Sequence, residues 1–144
     1  MDNVAMKKQR RNTVQKRIIL NTLRDMGSHQ SAGAVYRKVS IKNPTIGRAT
    51  VFRVLADMAE DGLLLRIPMN GAEDIYDVTV KSHYHGVCRI CGKVSDVWMS
   101  KDFDIKSGIA DPTDLKIEGA SVEFTGICAE CESKEQKKAK TTIQ

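Results

Sequence analysis

Residues 83–96 read HYHGVCRICGKVSD, and this run decides how the rest of the chain is interpreted. His83 and His85 alternate along it, so an extended strand points both imidazoles to one face. Cys88 and Cys91 follow with the C-x-x-C spacing of a metal knuckle, whose tight turn brings two thiolates to one ion. Imidazoles and thiolates prefer different metals, so the run predicts two separate metal sites.

A second C-x-x-C pair, Cys128 and Cys131, accounts for the remaining cysteines of the chain. Two knuckles together make a tetrahedral four-thiolate site, which suits one Zn²⁺ per chain. The alternative is a pair of disulfides or redox motifs. It is disfavoured because nothing indicates export and neither pair lies in a thioredoxin-like βαβ context. A closed four-cysteine site is structural and by itself assigns no activity.

Composition predicts a globular chain of one ordinary domain or two small ones, since its 144 residues are 41% hydrophobic and 28% charged. No apolar run approaches the ~20 residues of a membrane helix. The basic start of the chain, 1–11, continues into polar residues rather than into the apolar core of a signal peptide. We therefore expect a cytoplasmic protein that does not enter a membrane.

The two halves of the chain differ in charge. Residues 1–66 hold 13 Lys and Arg against 5 Asp and Glu, whereas residues 67–144 hold 10 against 13. A basic first half beside an acidic second half indicates that the first half meets a polyanion. A solvated basic surface with no partner is the alternative that charge alone leaves open.

The first half reads as three helices followed by a hairpin. The predicted helices are 13–26, 31–39 and 48–60. Ser31 is a plausible N-cap, Gly47 a weaker one, and Gly62 a typical residue after a helix end. Residues 63–67 and 73–78 read as strands joined by a turn at Asn70-Gly71. This order predicts a winged helix-turn-helix domain over 1–80, with the wing at about 63–78 and the third helix entering the major groove of double-stranded DNA.

The third predicted helix has an apolar stripe of Val51, Leu55 and Met58. Four residues off that stripe are candidate readers of bases and phosphates: Arg48, Ala49, Thr50 and Arg53. Arg can hydrogen-bond guanine edges, and Thr can offer a methyl group to thymine. An ordinary amphipathic helix with a polar outer face would show the same periodicity.

The second half reads as a small α/β domain over 81–132. Its predicted elements are a strand at 93–99, a short helix at 102–110 and a long strand at 115–127. Strand edges need cover, so this half is the expected dimerisation domain. Residues 133–144 are rich in Lys and Gln and predict a basic, disordered tail. The predicted fold class is therefore α+β, with a DNA-binding domain followed by a dimerisation domain that holds the zinc.

With these parts named, the chain resembles the ferric uptake regulator (Fur) superfamily along nearly its whole length. The resemblance rests on Ala49-Thr50-Val51-Phe52-Arg53, on the His-x-His-x-x-Cys-x-x-Cys-Gly-Lys run, and on the late Cys-x-x-Cys. It implies a cytoplasmic homodimer that represses transcription on operator DNA and is not an enzyme. It adds Gln15, Lys16 and Phe52 to the expected DNA contacts.

Within the superfamily the chain looks most like the peroxide-sensing branch, which binds a regulatory ion through three histidines and two aspartates. The matching residues here are His29, Asp77, His83, His85 and Asp96. The chain has only three histidines, and all of them fall on these positions. Nitrogen and carboxylate ligands suit Fe²⁺ or Mn²⁺ better than a thiolate-seeking metal.

The resemblance also implies how the protein would respond. Metal would tie the two halves together and favour the DNA-binding form of the dimer. Peroxide would react at Fe²⁺, oxidise His29 or His83 to 2-oxo-histidine, release the metal and the DNA, and so derepress oxidative-stress genes. Mn²⁺ would hold the same form without this chemistry, and no small molecule other than peroxide is expected to act on the protein.

Two other functions are weighed against this one. The first is a reversible iron, manganese or zinc uptake regulator with no peroxide step; relatives of that kind often have Glu at the position of Asp96. The second is a zinc hydrolase or deaminase. A deaminase needs a His-x-Glu beside its Pro-Cys-x-x-Cys, and the run at 83–85 is His-Tyr-His.

Three residues depart from the pattern of the superfamily. Phe52 replaces a tyrosine, Val14 replaces a common proline, and Gly47 stands where a serine usually caps the helix. These changes bear on the operator sequence more than on the function.

Overall fold

Two units make up the chain in the computed structural model, Met1–Lys81 and Ser82–Gln144. The structure describes residues 2–101, 104–110 and 114–141. Helices and antiparallel strands mix in the first unit, and a three-stranded sheet with a terminal helix forms the second, as the predicted α+β class requires. Within the described ranges, no helix has both the length and the apolar content needed to cross a membrane.

The first unit contains three helices and three short strands. These are α1 (Asp2–Met26), β1 (Gln30–Ser31), α2 (Ala32–Lys42), α3 (Arg48–Glu60), β2 (Leu65–Ile67) and β3 (Ile75–Asp77). The strands form one antiparallel sheet in the order β1-β3-β2. Three helices followed by the β2–β3 hairpin are the elements of a winged helix.

Local signals explain the ends of these helices. The Ser31 hydroxyl accepts the Ala34 N–H at 3.2 Å, which confirms it as the N-cap of α2. The helix α3 begins after Gly47 and ends at Glu60, as the sequence predicts. Gly27 and Gly62 follow α1 and α3 with φ of +86° and +72°, a left-handed conformation that glycine adopts without steric cost.

The core of the first unit lies between the three helices. Val51, Leu55 and Met58, the predicted stripe of α3, are buried there. On α1, Ile19 and Leu23 are fully buried in this core, whereas Val14 is exposed. The helix begins at Asp2 rather than at residue 13.

The wing differs from its prediction in two ways. Its strands are shorter than predicted, Leu65–Ile67 instead of 63–67 and Ile75–Asp77 instead of 73–78. The predicted turn is present, with a φ of +74° at Gly71. The sheet also gains β1, a two-residue strand that the sequence does not reveal. Gln30 pairs with Tyr76 and Ser31 with Ile75.

The second unit is built on β4 (Tyr84–Cys88). This strand pairs antiparallel with β5 (Val94–Val97) and parallel with β6 (Glu123–Gly126). A short 3₁₀ helix (Ile105–Gly108) and the helix α4 (Ala129–Thr141) complete the unit. The parallel pairing of β4 and β6 brings both C-x-x-C segments to the same end of the sheet.

Several predictions for this unit are wrong. Only residues 123–126 of the long strand predicted over 115–127 are strand. The helix predicted over 102–110 is a 3₁₀ turn at 105–108, and its first two residues lie outside the described ones. The predicted disordered tail is helical as far as Thr141, because α4 begins at Ala129 and continues through it.

Candidate metal centres and nucleic-acid interface

Four cysteine side chains converge in the second unit. Cys88 ends β4, Cys91 lies in the turn that follows, and Cys128 and Cys131 lie at the start of α4. The turn is closed by the Gly92 N–H, which donates to the Cys88 carbonyl at 2.8 Å. All four sulfur atoms lie within 4.8 Å of one another.

The spacing of the sulfurs fits a tetrahedral metal site. Four sulfurs at ~2.3 Å from one ion, at the corners of a tetrahedron, lie about 3.8 Å apart. The Sγ atoms of Cys91 and Cys128 are 3.8 Å apart, and all four cysteines are free thiols. A disulfide would need ~2.05 Å. The donor set therefore fits Zn²⁺.

Backbone N–H groups favour the thiolate form of Cys88, the form that binds a metal ion. Backbone N–H groups of Cys128, Cys91 and Ile90 lower the pKa of the Cys88 thiol to about 6, and the Cys128 N–H lies 3.4 Å from its sulfur. Hydrogen bonding with the Cys128 side chain, followed by burial, raises the pKa of the Cys131 thiol to about 12. A bound cation would act in the opposite direction and lower the pKa of this thiol.

In the first unit, strand register brings His29 to Asp77. The pairing of Gln30 with Tyr76 places the residue before β1 opposite the last residue of β3. His29 Nε2 lies 3.4 Å from Asp77 Oδ2, and the Asp77 side chain is fully buried. Its other oxygen accepts the Thr79 N–H at 2.8 Å, which fixes the carboxylate.

The backbone of His29 is itself unusual. Its φ is +67°, the one positive value at a non-glycine position among the described residues. His visits this left-handed region more readily than β-branched or bulky residues do. The conformation lets the chain turn from α1 into β1, and thus aims the imidazole at β3.

In the second unit, His83 and His85 meet Asp96 in the same way. His85 pairs directly with Asp96 across β4 and β5. Oδ1 of Asp96 lies 3.1 Å from His83 Nε2 and 4.0 Å from His85 Nε2. Trp98 stacks on the buried His83 ring, with centroids 4.8 Å apart and planes inclined by 24°.

The predicted DNA-contacting residues all lie in the first unit and differ in their exposure. Arg48, Ala49 and Arg53 are exposed on α3, and Thr50 is half-buried. Phe52 is different, because it packs against the core of the unit and lies under the Arg48 guanidinium. On α1, Gln15 and Lys16 are half-buried.

The comparison with known families covers most of the chain. Residues 7–125 match the ferric uptake regulator family. The chain belongs to the ferric uptake regulator family. This membership confirms the resemblance drawn from the sequence motifs, and it makes the protein a metal-responsive transcriptional regulator rather than an enzyme.

Relatives of this Fur-family protein include regulators of two kinds. The peroxide operon regulator of Bacillus subtilis (strain 168) is 30% identical over 123 residues, which are 85% of this chain and 85% of that protein. The Vibrio cholerae ferric uptake regulator is 28% identical and superposes with a TM-score of 0.57, covering 78% of this chain and 88% of that one.

A third comparison supports the fold. The Campylobacter jejuni peroxide stress regulator superposes with a TM-score of 0.66 over 91% of this chain and 100% of that chain, at 24% identity. The α+β architecture of this Fur-family chain is therefore one that solved regulators share.

Sequence reasoning missed Glu73. Its carboxylate accepts the Gly33 N–H at 3.1 Å and pairs with Arg48 at 3.3 Å. Partners 40 and 25 residues away leave no signal in a local pattern. The one local hint was that Glu73 lies two residues after Gly71, close to the turn between β2 and β3.

Proposed function

We propose that this Fur-family chain is a dimeric, metal-dependent repressor that binds double-stranded operator DNA and senses peroxide through histidine ligands of Fe²⁺. The observation that carries the proposal is that strand register assembles carboxylate–imidazole sets in both units. His29 is paired with Asp77 in the first, and His83 and His85 are paired with Asp96 in the second.

Each set alone offers few ligands, two in the first unit and three in the second. We infer that one regulatory ion takes all five donors, three imidazoles and two carboxylates, which suit Fe²⁺ or Mn²⁺. Such an ion would bind best when the units are held at one angle, so its binding energy would favour that form of the protein. The four cysteines would hold a separate structural Zn²⁺.

Binding of DNA would belong to the first unit. Its charge is basic, and its third helix presents Arg48 and Arg53 at the surface. Phosphate contacts release counterions, so affinity should fall steeply with salt. In the dimer the two copies of α3 would lie about one turn of DNA apart, ~34–36 Å.

Dimerisation would belong to the second unit. Several large apolar side chains are exposed there, among them Trp98, Met99, Leu115, Phe124 and Ile127. A groove of about 220 Å³ lined by Val87, Val97 and Phe124 lies on its sheet. Exposed apolar side chains around a groove support the proposal that a protein partner covers this sheet.

Bound at the regulatory site, Fe²⁺ would supply one-electron chemistry that lets peroxide oxidise a neighbouring imidazole, with the two electrons that peroxide consumes coming overall from the ring. The protein contributes the positions of the rings: Asp77 fixes His29, while Asp96 and Trp98 fix His83. One oxygen atom of peroxide would be added to His29 or His83, and the other would leave as water. An oxidised ring is a poorer ligand, so the regulatory ion and then the DNA would be released.

Mass spectrometry of peptides after brief peroxide exposure tests this function. Protein loaded with Fe²⁺ should gain one oxygen atom on a peptide containing His29 or His83, and protein loaded with Mn²⁺ should not. Asp96→Glu keeps a carboxylate but changes its reach, so it should retain metal-dependent DNA binding and reduce the oxidation. Early disulfides with loss of zinc and intact histidines would instead identify a thiol-based sensor.

A second function is supported by the similarity to the Vibrio cholerae ferric uptake regulator. It is reversible metal-dependent repression without oxidation. The same experiment separates the two functions, because a reversible regulator would lose DNA on removal of metal and regain it on return, with both histidine peptides unmodified after peroxide.

A further inference from the structure

One carboxylate joins three elements of the first unit. Glu73, just before β3, accepts the Gly33 N–H in the first turn of α2 at 3.1 Å. Its other oxygen lies 3.3 Å from Nη2 of Arg48, the first residue of α3. The wing is thereby tied to the N-terminal ends of two helices, where a negative charge is favoured by the helix dipole.

Arg48 is held from a second side. Its guanidinium carbon lies 4.9 Å from the centroid of the Phe52 ring, one turn further along α3. Phe52 is anchored in turn against the core of the unit. The Arg48 side chain is nevertheless 63% exposed, so its remaining N–H groups point into a region open to a partner.

Gly33 is what allows Glu73 to come this close. A Cβ atom at position 33 would lie 2.7 Å from Oε2 of Glu73 and 3.0 Å from Oε1. The first distance is shorter than real Cβ contacts and the second is unusually tight, so a larger residue at position 33 would displace the carboxylate. The backbone of α2 and the side chain from the wing therefore depend on each other.

The second exposed arginine of α3 lacks such a tie between elements. Arg53 pairs with Asp57 on the same helix, four residues away, at 3.0 Å. A pair of this kind is formed within one helix and does not depend on the position of the wing or of α2. Arg48 is therefore the candidate reader whose position depends on the tertiary fold.

We propose that Glu73 is a positioning residue for DNA recognition, which fixes Arg48 at the start of α3 and so sets the sequence preference of the protein. This inference rests on the proposed DNA-binding function. An arginine without such partners samples many rotamers, whereas one held between a carboxylate and a ring presents its N–H groups in one direction. A carboxylate on this surface also repels phosphates, so Glu73 would lower affinity for DNA of every sequence while raising selectivity.

Selection from a pool of randomised DNA duplexes tests the inference, with the full chain loaded with zinc and Mn²⁺. Wild-type protein should enrich a sequence motif. Arg48→Ala should lose about tenfold of the preference at one base position, the value of a good arginine–base contact. Glu73→Gln should weaken the preference at that same position severalfold, while binding to unselected duplex becomes tighter.

Two matched variants distinguish the effect of the position of the Glu73 carboxylate from the effect of its charge. Gly33→Ala should reproduce the loss of preference seen with Glu73→Gln, because it displaces the carboxylate without changing any charge. Asp74→Asn removes one negative charge from the neighbouring residue, which pairs with Arg66 at 2.6 Å rather than with Arg48. It should keep the wild-type preference.

The outcomes are distinct. The positioning role is wrong if Glu73→Gln and Gly33→Ala both keep the full base preference. If Glu73→Gln also binds unselected duplex more tightly, Glu73 is only an anion that repels DNA. The double variant Arg48→Ala/Glu73→Gln should lose no more preference than Arg48→Ala alone; an additional loss would overturn a role that acts through Arg48. A wild-type protein that enriches no motif would contradict the proposed function itself.

Discussion

The first unit buries a cluster of twelve side chains between its helices and sheet. The described part of the second unit has three buried residues, Cys88, Val94 and Cys131, besides the buried ring of His83. Two of these three are thiols of the cysteine cluster. The first unit therefore has an ordinary hydrophobic core, whereas the proposed zinc and the proposed dimer contacts would have to stabilise the second. Loss of metal should therefore destabilise the second unit, and loss of apolar packing should destabilise the first.

Replacing one zinc ligand should have the largest effect. Cys91→Ser removes a thiolate from a site whose metal contributes about 10 kcal/mol or more to folding in comparable structural zinc sites. Zinc should be lost, and Ser82–Gln144 should lose hydrogen-exchange protection while Met1–Lys81 keeps it. A variant that retains one zinc per chain, or that loses protection evenly across both units, would contradict this division.

Shortening a core side chain of the first unit should destabilise that unit and leave the second unit unchanged. Leu55 is fully buried on α3, so Leu55→Ala should lower the free energy of unfolding of the first unit by about 2–5 kcal/mol. Urea denaturation followed by far-ultraviolet circular dichroism measures the loss.

The single tryptophan, Trp98, gives the control for Leu55→Ala, since it lies in the second unit. Its fluorescence transition and the zinc content should both stay as in the wild type. A shift of the Trp98 transition equal to that of the dichroism would mean that the two units unfold together.

Removing a helix cap should have the smallest effect. Ser31→Ala deletes the hydroxyl that accepts the Ala34 N–H and should cost the first unit about 1 kcal/mol. Ser40→Ala is the matched control, because the Ser40 hydroxyl donates to the Arg37 carbonyl on the exposed side of the same helix. Thermal melts should separate the two variants, and equal melting temperatures would argue against a role for the cap.

Features set by local chemistry were the predictable ones. Ser31 and Gly62 mark helix ends through side-chain capping and a left-handed conformation, both of which act within a few residues. The cysteine cluster followed from spacing, since two C-x-x-C pairs supply the four thiols of one tetrahedral site. Prediction of the fold as a whole succeeded because these signals agreed with the family motifs.

Features set by distant pairing were not predictable. The strand β1 exists only because residues 30–31 meet β3, and the contact of Glu73 with Gly33 spans 40 residues. The region 133–141 reads as disordered from its polar composition, yet it continues the helix that begins beside Cys128 and holds Cys131 in its first turn. In the candidate regulatory site, the residue types came from the resemblance, and the strand registers that align them came from the structure.

The sparse core of the second unit has a consequence for the lifetime of the protein in a cell. A chain made without zinc would carry a folded DNA-binding half and an open second half. Proteases cleave open segments in proportion to the time that they spend open. We expect the amount of this regulator to follow the zinc supply, so that zinc starvation would relieve repression by turnover, whatever the peroxide level; pulse-chase measurement of its half-life in zinc-depleted cells would test this.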